Sequence, residues 1–294
     1  MTLANQNYRR WLLFCLWLIA SVAISWRILT SLLNYSLGND DASHIVLIPF
    51  ISAWLLYLDR RRIFSHLSSD IALSIPLAIL GLLSVMWSSP ARLESHSLTA
   101  LGLVLLWIAG FALAFGWEAT KTARFPLLFL FLFIPLPEAL LGKVIYFLQR
   151  GSTEITALFF SLTPVPVLRD GFVFHLPRFS IEVARECSGI RSSIALLVLA
   201  ILAGHFLLKS FWRQTVLVLA GIVVMIIKNG IRIVTLTLLA NYVDPGFLYG
   251  NLHREGGVVF FMIGLLLLVP VLWLLQRGES RDDSRAVKVP AEAV

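Results

Sequence analysis

Apolar residues occur in long blocks separated by short polar breaks, near 11–33, 45–58, 71–89, 98–117, 125–141, 188–208, 214–240 and 257–276. A helix that crosses a bilayer uses about 20 mostly apolar residues, so the pattern predicts about eight membrane-spanning helices. The second block is short and extends toward Asp41 or Arg60. The first follows Tyr8-Arg9-Arg10, is long and rich in tryptophan, and lacks a small-residue cleavage site. It therefore reads as a retained span rather than a signal peptide. Arg27, late in that block, is within snorkelling reach of an interface.

The pattern changes over 142–187. From Lys143 to Leu162, Lys143, Gln149, Arg150 and Glu154 alternate with apolar residues at helical spacing. Such a segment is an interfacial amphipathic helix or a re-entrant piece. Pro164-Val165-Pro166 stops it. Gly171 to Val183 alternates apolar and polar residues as a β-hairpin would, turning at Pro177-Arg178. From Gly278 the chain becomes short, charged and disordered in character. The expectation is an all-α integral membrane protein with about eight transmembrane helices and a small outer β-hairpin-like element before the sixth span. A single polytopic domain covers 1–277, with a tail over 278–294.

Composition removes the soluble alternatives. The 294 residues are 58% apolar and 14% charged, whereas soluble domains carry about a quarter charged residues. Two cysteines cannot build a disulfide scaffold. The net charge of +7 is explained by topology rather than by nucleic acid, for which no motif is present. With a cytoplasmic amino terminus, the inner segments hold Arg9, Arg10, Arg60, Arg61, Arg62, Lys121, Arg124, Lys209, Arg213, Arg277, Arg281, Arg285 and Lys288. The outer loops near 34–44 and 89–97 hold only Arg92. This asymmetry follows the positive-inside rule and places both termini in the cytoplasm. The exception is the long outer segment 142–187, with Lys143, Arg150, Arg169, Arg178 and Arg185; long external segments obey the rule less strictly.

Under this topology the reactive side chains gather on the outer side. Cys187 opens the sixth span in Glu186-Cys187-Ser188-Gly189-Ile190-Arg191-Ser192. The positive end of a helix dipole and a neighbouring guanidinium favour the thiolate, and Arg191 is one turn on along the same face. Glu186 acts the other way. The alternative for Cys187 is a small buried hydrophobe, which is the reading for Cys15. Arg232, in Asn229-Gly230-Ile231-Arg232-Ile233, lies about 12 Å inside the outer end of the seventh span. A charge there costs about 3 kcal/mol or more and marks a functional candidate. Its alternatives are a snorkelling side chain or a structural pair with Glu182 or Glu186. Asn229 shares its face and orients it, and Lys228 lies deeper on the same stripe. His253, just ahead of the eighth span, is a general acid or base or a solvated loop residue. His44, His96 and His175 are also outer; His66 and His205 are inner. A thiolate, a proton carrier and a cation for the oxyanion are together the parts of a cysteine acyl-transfer site. No HExxH or CxxC spacing is present, so no metal or other cofactor is expected.

Glu186-Cys187-Ser188-Gly189-Ile190-Arg191-Ser192, Asn229-Gly230-Ile231-Arg232-Ile233 and the histidine at the entry to the last span resemble the exosortase/archaeosortase family of integral-membrane cysteine transpeptidases. Ala42-Ser43-His44, followed by an apolar run and Pro49, is a weaker echo. The chain departs from the family pattern at Arg254-Glu255-Gly256-Gly257. The resemblance implies Cys187 as nucleophile, Arg232 as transition-state stabiliser and His253 as acid/base residue. Glu186, Ser188, Arg191, Asn229 and His44 are then supporting or substrate-binding candidates. It also implies substrates that are exported, membrane-anchored proteins bearing a carboxy-terminal sorting signal, with a Pro-Glu-Pro-like motif, one helix and a basic cluster. They would be processed at the periplasmic face of a bacterial inner membrane, in connection with exopolysaccharide or cell-surface assembly. Two rivals stand beside it. One is a transporter or flippase in which Arg232 and Lys228 bind an anionic lipid-linked saccharide. The other is a non-catalytic scaffold for polysaccharide assembly.

Overall fold

Helices cover the apolar blocks, several of which bend or stop short. The computed structural model describes residues 3–39, 42–88, 95–184, 190–248 and 257–287. In chain order these form α1 (Leu3–Ile24), α2 (Trp26–Gly38), α3 (Ile48–Leu58), α4 (Arg60–Ile63), α5 (Ile71–Trp87), α6 (Ser95–Thr122) and α7 (Arg124–Phe129). They continue with α8 (Glu138–Ser161), β1 (Leu168–Asp170), β2 (Val173–His175), β3 (Ser180–Glu182), α9 (Ile190–Leu207), α10 (Phe211–Tyr242) and α11 (Gly257–Val287).

Eight apolar blocks do not become eight full-length helices. Among the described residues, three helices are long and apolar enough to cross a membrane: His96–Thr122, Phe211–Tyr242 and Gly257–Ser280. Counting each of two broken pairs as one span raises the number to five. Ile45–Leu58, Ile71–Trp87 and Ser192–Leu207 are apolar but shorter. The block at 11–33 is bent by 78° between α1 and α2. The block at 125–141 is not one helix, because the chain leaves helical geometry between Phe133 and Glu138, where Pro135 and Pro137 withhold backbone donors. Apolarity summed along a block is blind to such a break.

The chain forms two compact units, Met1–Leu141 and Gly142–Val294. In the first, α5 and α6 approach closely at a glycine pair: a Cβ on Gly81 would lie 2.9 Å from the Gly102 carbonyl oxygen. Small residues permit this backbone approach between membrane helices. Trp17 of α1 donates its indole N–H to the Leu106 carbonyl of α6 at 2.7 Å. Its ring fills the space that a side chain at Gly110 would need. Phe111 and Phe115 of α6, both buried, centre an aromatic cluster with Trp11, Phe14 and Phe64.

In the second unit, α9, α10 and α11 share a core of Leu196, Ala200, Leu217, Val224, Met225 and Leu268. The expected hairpin is present: β2 and β3 pair antiparallel, Val173 opposite Glu182 and His175 opposite Ser180, and the chain turns through Pro177-Arg178. A third strand, β1, completes a sheet of order β1-β2-β3. Its three residues are all exposed, so no alternation announces it. Gly171, with φ of +58°, makes the two-residue turn into β2, where a left-handed first position suits glycine. One face of the sheet, Phe174, Leu176, Ile181 and Val183, packs with Phe160 of α8 and Val234 of α10. α11 continues as helix past Gly278, where the sequence reading starts the tail, to Val287.

Candidate functional site

α10 is the scaffold of the site. Its 32 residues contain no proline and are mostly apolar, so the backbone satisfies its own hydrogen bonds along the whole length. Leu217, Gly221, Val224 and Lys228 are buried and recur at helical spacing. That stripe faces the core shared with α9 and α11, and Lys228 continues it in place of another apolar residue. Lys228 is 1% exposed. Its Nζ donates to Ser192 Oγ, in the first turns of α9, at 2.6 Å. On α11, Gly264 leaves room for the lysine stem, since a Cβ there would lie 3.2 Å from Lys228 Cδ. Arg232 is half-buried one turn further along α10, so two cations follow each other on one side of the helix.

The adjacent face of α10 meets α8. Asn229 is 1% exposed and donates from Nδ2 to Ser152 Oγ at 3.0 Å. Beside it the helices come together at Gly230, where a Cβ would lie 2.5 Å from Ile155 Cγ2. Gln149, Ser152, Thr153 and Thr156 of α8 are all buried. These uncharged polar residues face other elements of the second unit, while Lys143, Arg150 and Glu154 are exposed, and the 92° bend between 124–133 and α8 is that of a broken span or a re-entrant piece.

The sheet is fastened to both helices. Arg169 of β1 forms a two-pronged pair with Glu154 of α8, at 2.7 and 2.9 Å, and the Glu154 contact holds the guanidinium above its ordinary pKa. Gln149 Nε2 of α8 donates to the Val183 carbonyl, just after β3, at 2.6 Å. Arg178 in the hairpin turn donates to the Asn241 carbonyl near the end of α10 at 2.9 Å. On the exposed side, His175 Nδ1 and Ser180 Oγ are hydrogen-bonded at 2.8 Å. These anchors hold the chain as far as Val183, four residues before Cys187. At the other end of α10, Arg213 pairs with Glu279 of α11 at 3.3 Å. That carboxylate also accepts from the Lys209 and Ser210 backbone N–H groups.

Of the residues singled out in the sequence, Arg232 and Asn229 share α10, and Arg191 lies in the first turn of α9. Glu186, Cys187, Ser188 and His253 lie outside the described residues. His44 belongs to the first unit, half-buried, with its carbonyl accepting from the Leu47 N–H at 3.0 Å. Cys15 is exposed on α1. Ser192 as a partner of Lys228, and Gln149 as an anchor for the strand leading to Cys187, are pairings that the structure adds. A signal for the latter was available: Gln149, Ser152, Thr153 and Thr156 recur at helical spacing, which marks a polar stripe on one face.

A family model described as transmembrane exosortase matches residues 26–270. No curated protein and no solved structure matches the chain.

Proposed function

Since the chain belongs to the transmembrane exosortase family, we propose that it is a membrane-embedded cysteine transpeptidase that processes the carboxy-terminal sorting signal of exported proteins. In this reading it crosses a bacterial inner membrane eight times, the broken and shorter helices included. Both termini are cytoplasmic and the site faces the periplasm. The distribution of Lys and Arg between the two sets of loops supports that orientation.

The observation that carries the proposal is the arrangement around α10. Lys228 and Arg232 put two cations into a membrane-spanning helix, where each is costly and is retained for a purpose. A sheet that packs on Val234 of the same helix is anchored through Gln149 and Arg178, and Val183 at its end is four residues before Cys187 in sequence.

The chemistry follows from the residue types. The Cys187 thiolate attacks the scissile carbonyl carbon, forming the C–S bond and an oxyanion that Arg232 stabilises. His253 gives a proton to the departing amine as the C–N bond breaks, leaving a thioester. An acceptor amine or water, giving a proton back to His253, then attacks the thioester carbonyl, and the C–S bond breaks to return the thiolate. Arg191 supports the thiolate or a substrate carboxylate.

The test is co-expression with a reporter, an exported domain followed by a Pro-Glu-Pro tripeptide, an apolar helix of about 20 residues and a basic cluster, read by mass. Cys187→Ala is expected to abolish processing while the protein still inserts, and normal processing by that variant would end the proposal. The cation pair favours one other reading, a carrier for an anionic lipid-linked saccharide. In that case Cys187→Ala is silent and Arg232→Ala is not.

A further inference from the structure

Among the described residues, the sheet of the second unit ends on an open strand. β3 is an edge of the three-stranded sheet, and its register divides its peptide groups into two sets. The Leu176 N–H donates to the Phe179 carbonyl at 2.9 Å, and the Val183 N–H to the Phe172 carbonyl at 3.0 Å. Between them Ile181 stands opposite Phe174. Residues 179, 181 and 183 thus turn their peptide groups to β2. Peptide groups alternate along an antiparallel strand, so the N–H and C=O groups of Ser180 and Glu182 point to the open edge. Among the described residues, no hydrogen bond reaches them.

The edge is open but not loose. Ile181 and Val183 are held in the cluster with Phe160, Phe174 and Val234, and Gln149 fixes the Val183 carbonyl. Ser180 and Glu182 are exposed. An uncovered edge is a ready template for another extended chain, and adding a strand to such an edge is a general mode of peptide recognition. Its position matters here. Glu182 is five residues before Cys187, at most about 18 Å of extended chain. A segment of five or six residues lying on β3 spans the same distance.

We propose that the β3 edge binds the cleavage segment of the substrate as an added strand, through the backbone groups of Ser180 and Glu182. The occupant is an extended polypeptide, selected by its main chain at these positions and carried along the edge toward Cys187. The inference rests on the transpeptidase reading and deepens it by assigning the substrate's docking site.

The experiment uses the full-length enzyme in membranes, in a Cys15→Ser background, with the reporter described above. Glu182→Pro removes an edge N–H and spares the β2–β3 ladder, a substitution that edge strands tolerate. Glu182→Ala removes the same side chain and keeps the N–H. Processing by the proline variant is expected to be at least tenfold slower than by the alanine variant. Both should keep the same rate of Cys187 alkylation by a maleimide, which reports an intact segment. Equal processing rates overturn the strand pairing. If the proline variant is not recovered in the membrane, synthetic peptides spanning the reporter's cleavage segment take its place, with backbone esters at successive positions. Cleavage must then fall at alternate positions only; a uniform loss, or none, overturns the proposal. A wild type that leaves the reporter whole overturns the enzymatic reading and this inference together. A wild type that cleaves it, with equal proline and alanine rates, overturns the docking site alone.

Discussion

Lys228 shows what a membrane bundle does with a charge. It is 1% exposed, while Leu266 on the neighbouring α11 is 67% exposed, the reverse of the arrangement in a soluble core. The ammonium is retained at the cost of desolvation, and Ser192 supplies the oxygen that meets it. Removing that oxygen strands the charge, at a cost of about 1–3 kcal/mol. Replacing the lysine with an apolar residue of similar length removes the charge as well as its need for a partner. Ser192→Ala is therefore expected to lower the thermal midpoint of the detergent-solubilised protein, and adding Lys228→Met should recover most of the loss. Strictly additive effects of the two changes would deny the coupling. Lys228→Met is also expected to slow reporter processing at least tenfold, separating function from stability. The position of the lysine was legible in the sequence. Its partner was not, because 36 residues separate the two.

At the scale of elements, α8 shows how packing sorts the polar residues of one amphipathic helix. Its mixture of polar and apolar residues fits a helix lying in an interface or a re-entrant piece; Gln149, Ser152, Thr153 and Thr156 are buried, whereas Lys143, Arg150 and Glu154 are exposed. A helix whose polar stripe faces protein can position other elements with hydrogen bonds, and Gln149 does so for the end of β3. Gln149→Leu leaves the Val183 carbonyl without this donor, a loss of about 1–3 kcal/mol. The segment leading to Cys187 should then move more. In a Cys15→Ser background, alkylation of Cys187 is expected to accelerate severalfold and processing to fall. An unchanged alkylation rate would show that the Gln149 contact does not hold that segment. The hairpin itself was readable, because alternation and Pro177-Arg178 both mark it; β1 was not, because its three residues are all exposed.

At the scale of the whole molecule, two compact units, Met1–Leu141 and Gly142–Val294, divide a chain whose apolar blocks look alike in sequence. The charge pattern makes a prediction that helix lengths do not. Reporter domains fused to either end should both be active in the cytoplasm, and one fused after Ser88 should be active outside. An outside signal from either terminus would reverse the orientation and move the proposed site to the wrong face.

The amino-acid sequence alone determined the membrane class, the positions of the intramembrane cations, the hairpin and the family likeness. Each depends on residue type and short-range spacing, which the chain carries openly. Only the tertiary structure decided where apolar blocks bend or stop, which face of α8 is buried, and that Lys228 meets Ser192. It also decided that Asn229 meets Ser152, 77 residues away. These outcomes depend on how helices pack, and packing joins residues whose separation along the chain holds no trace of their contact.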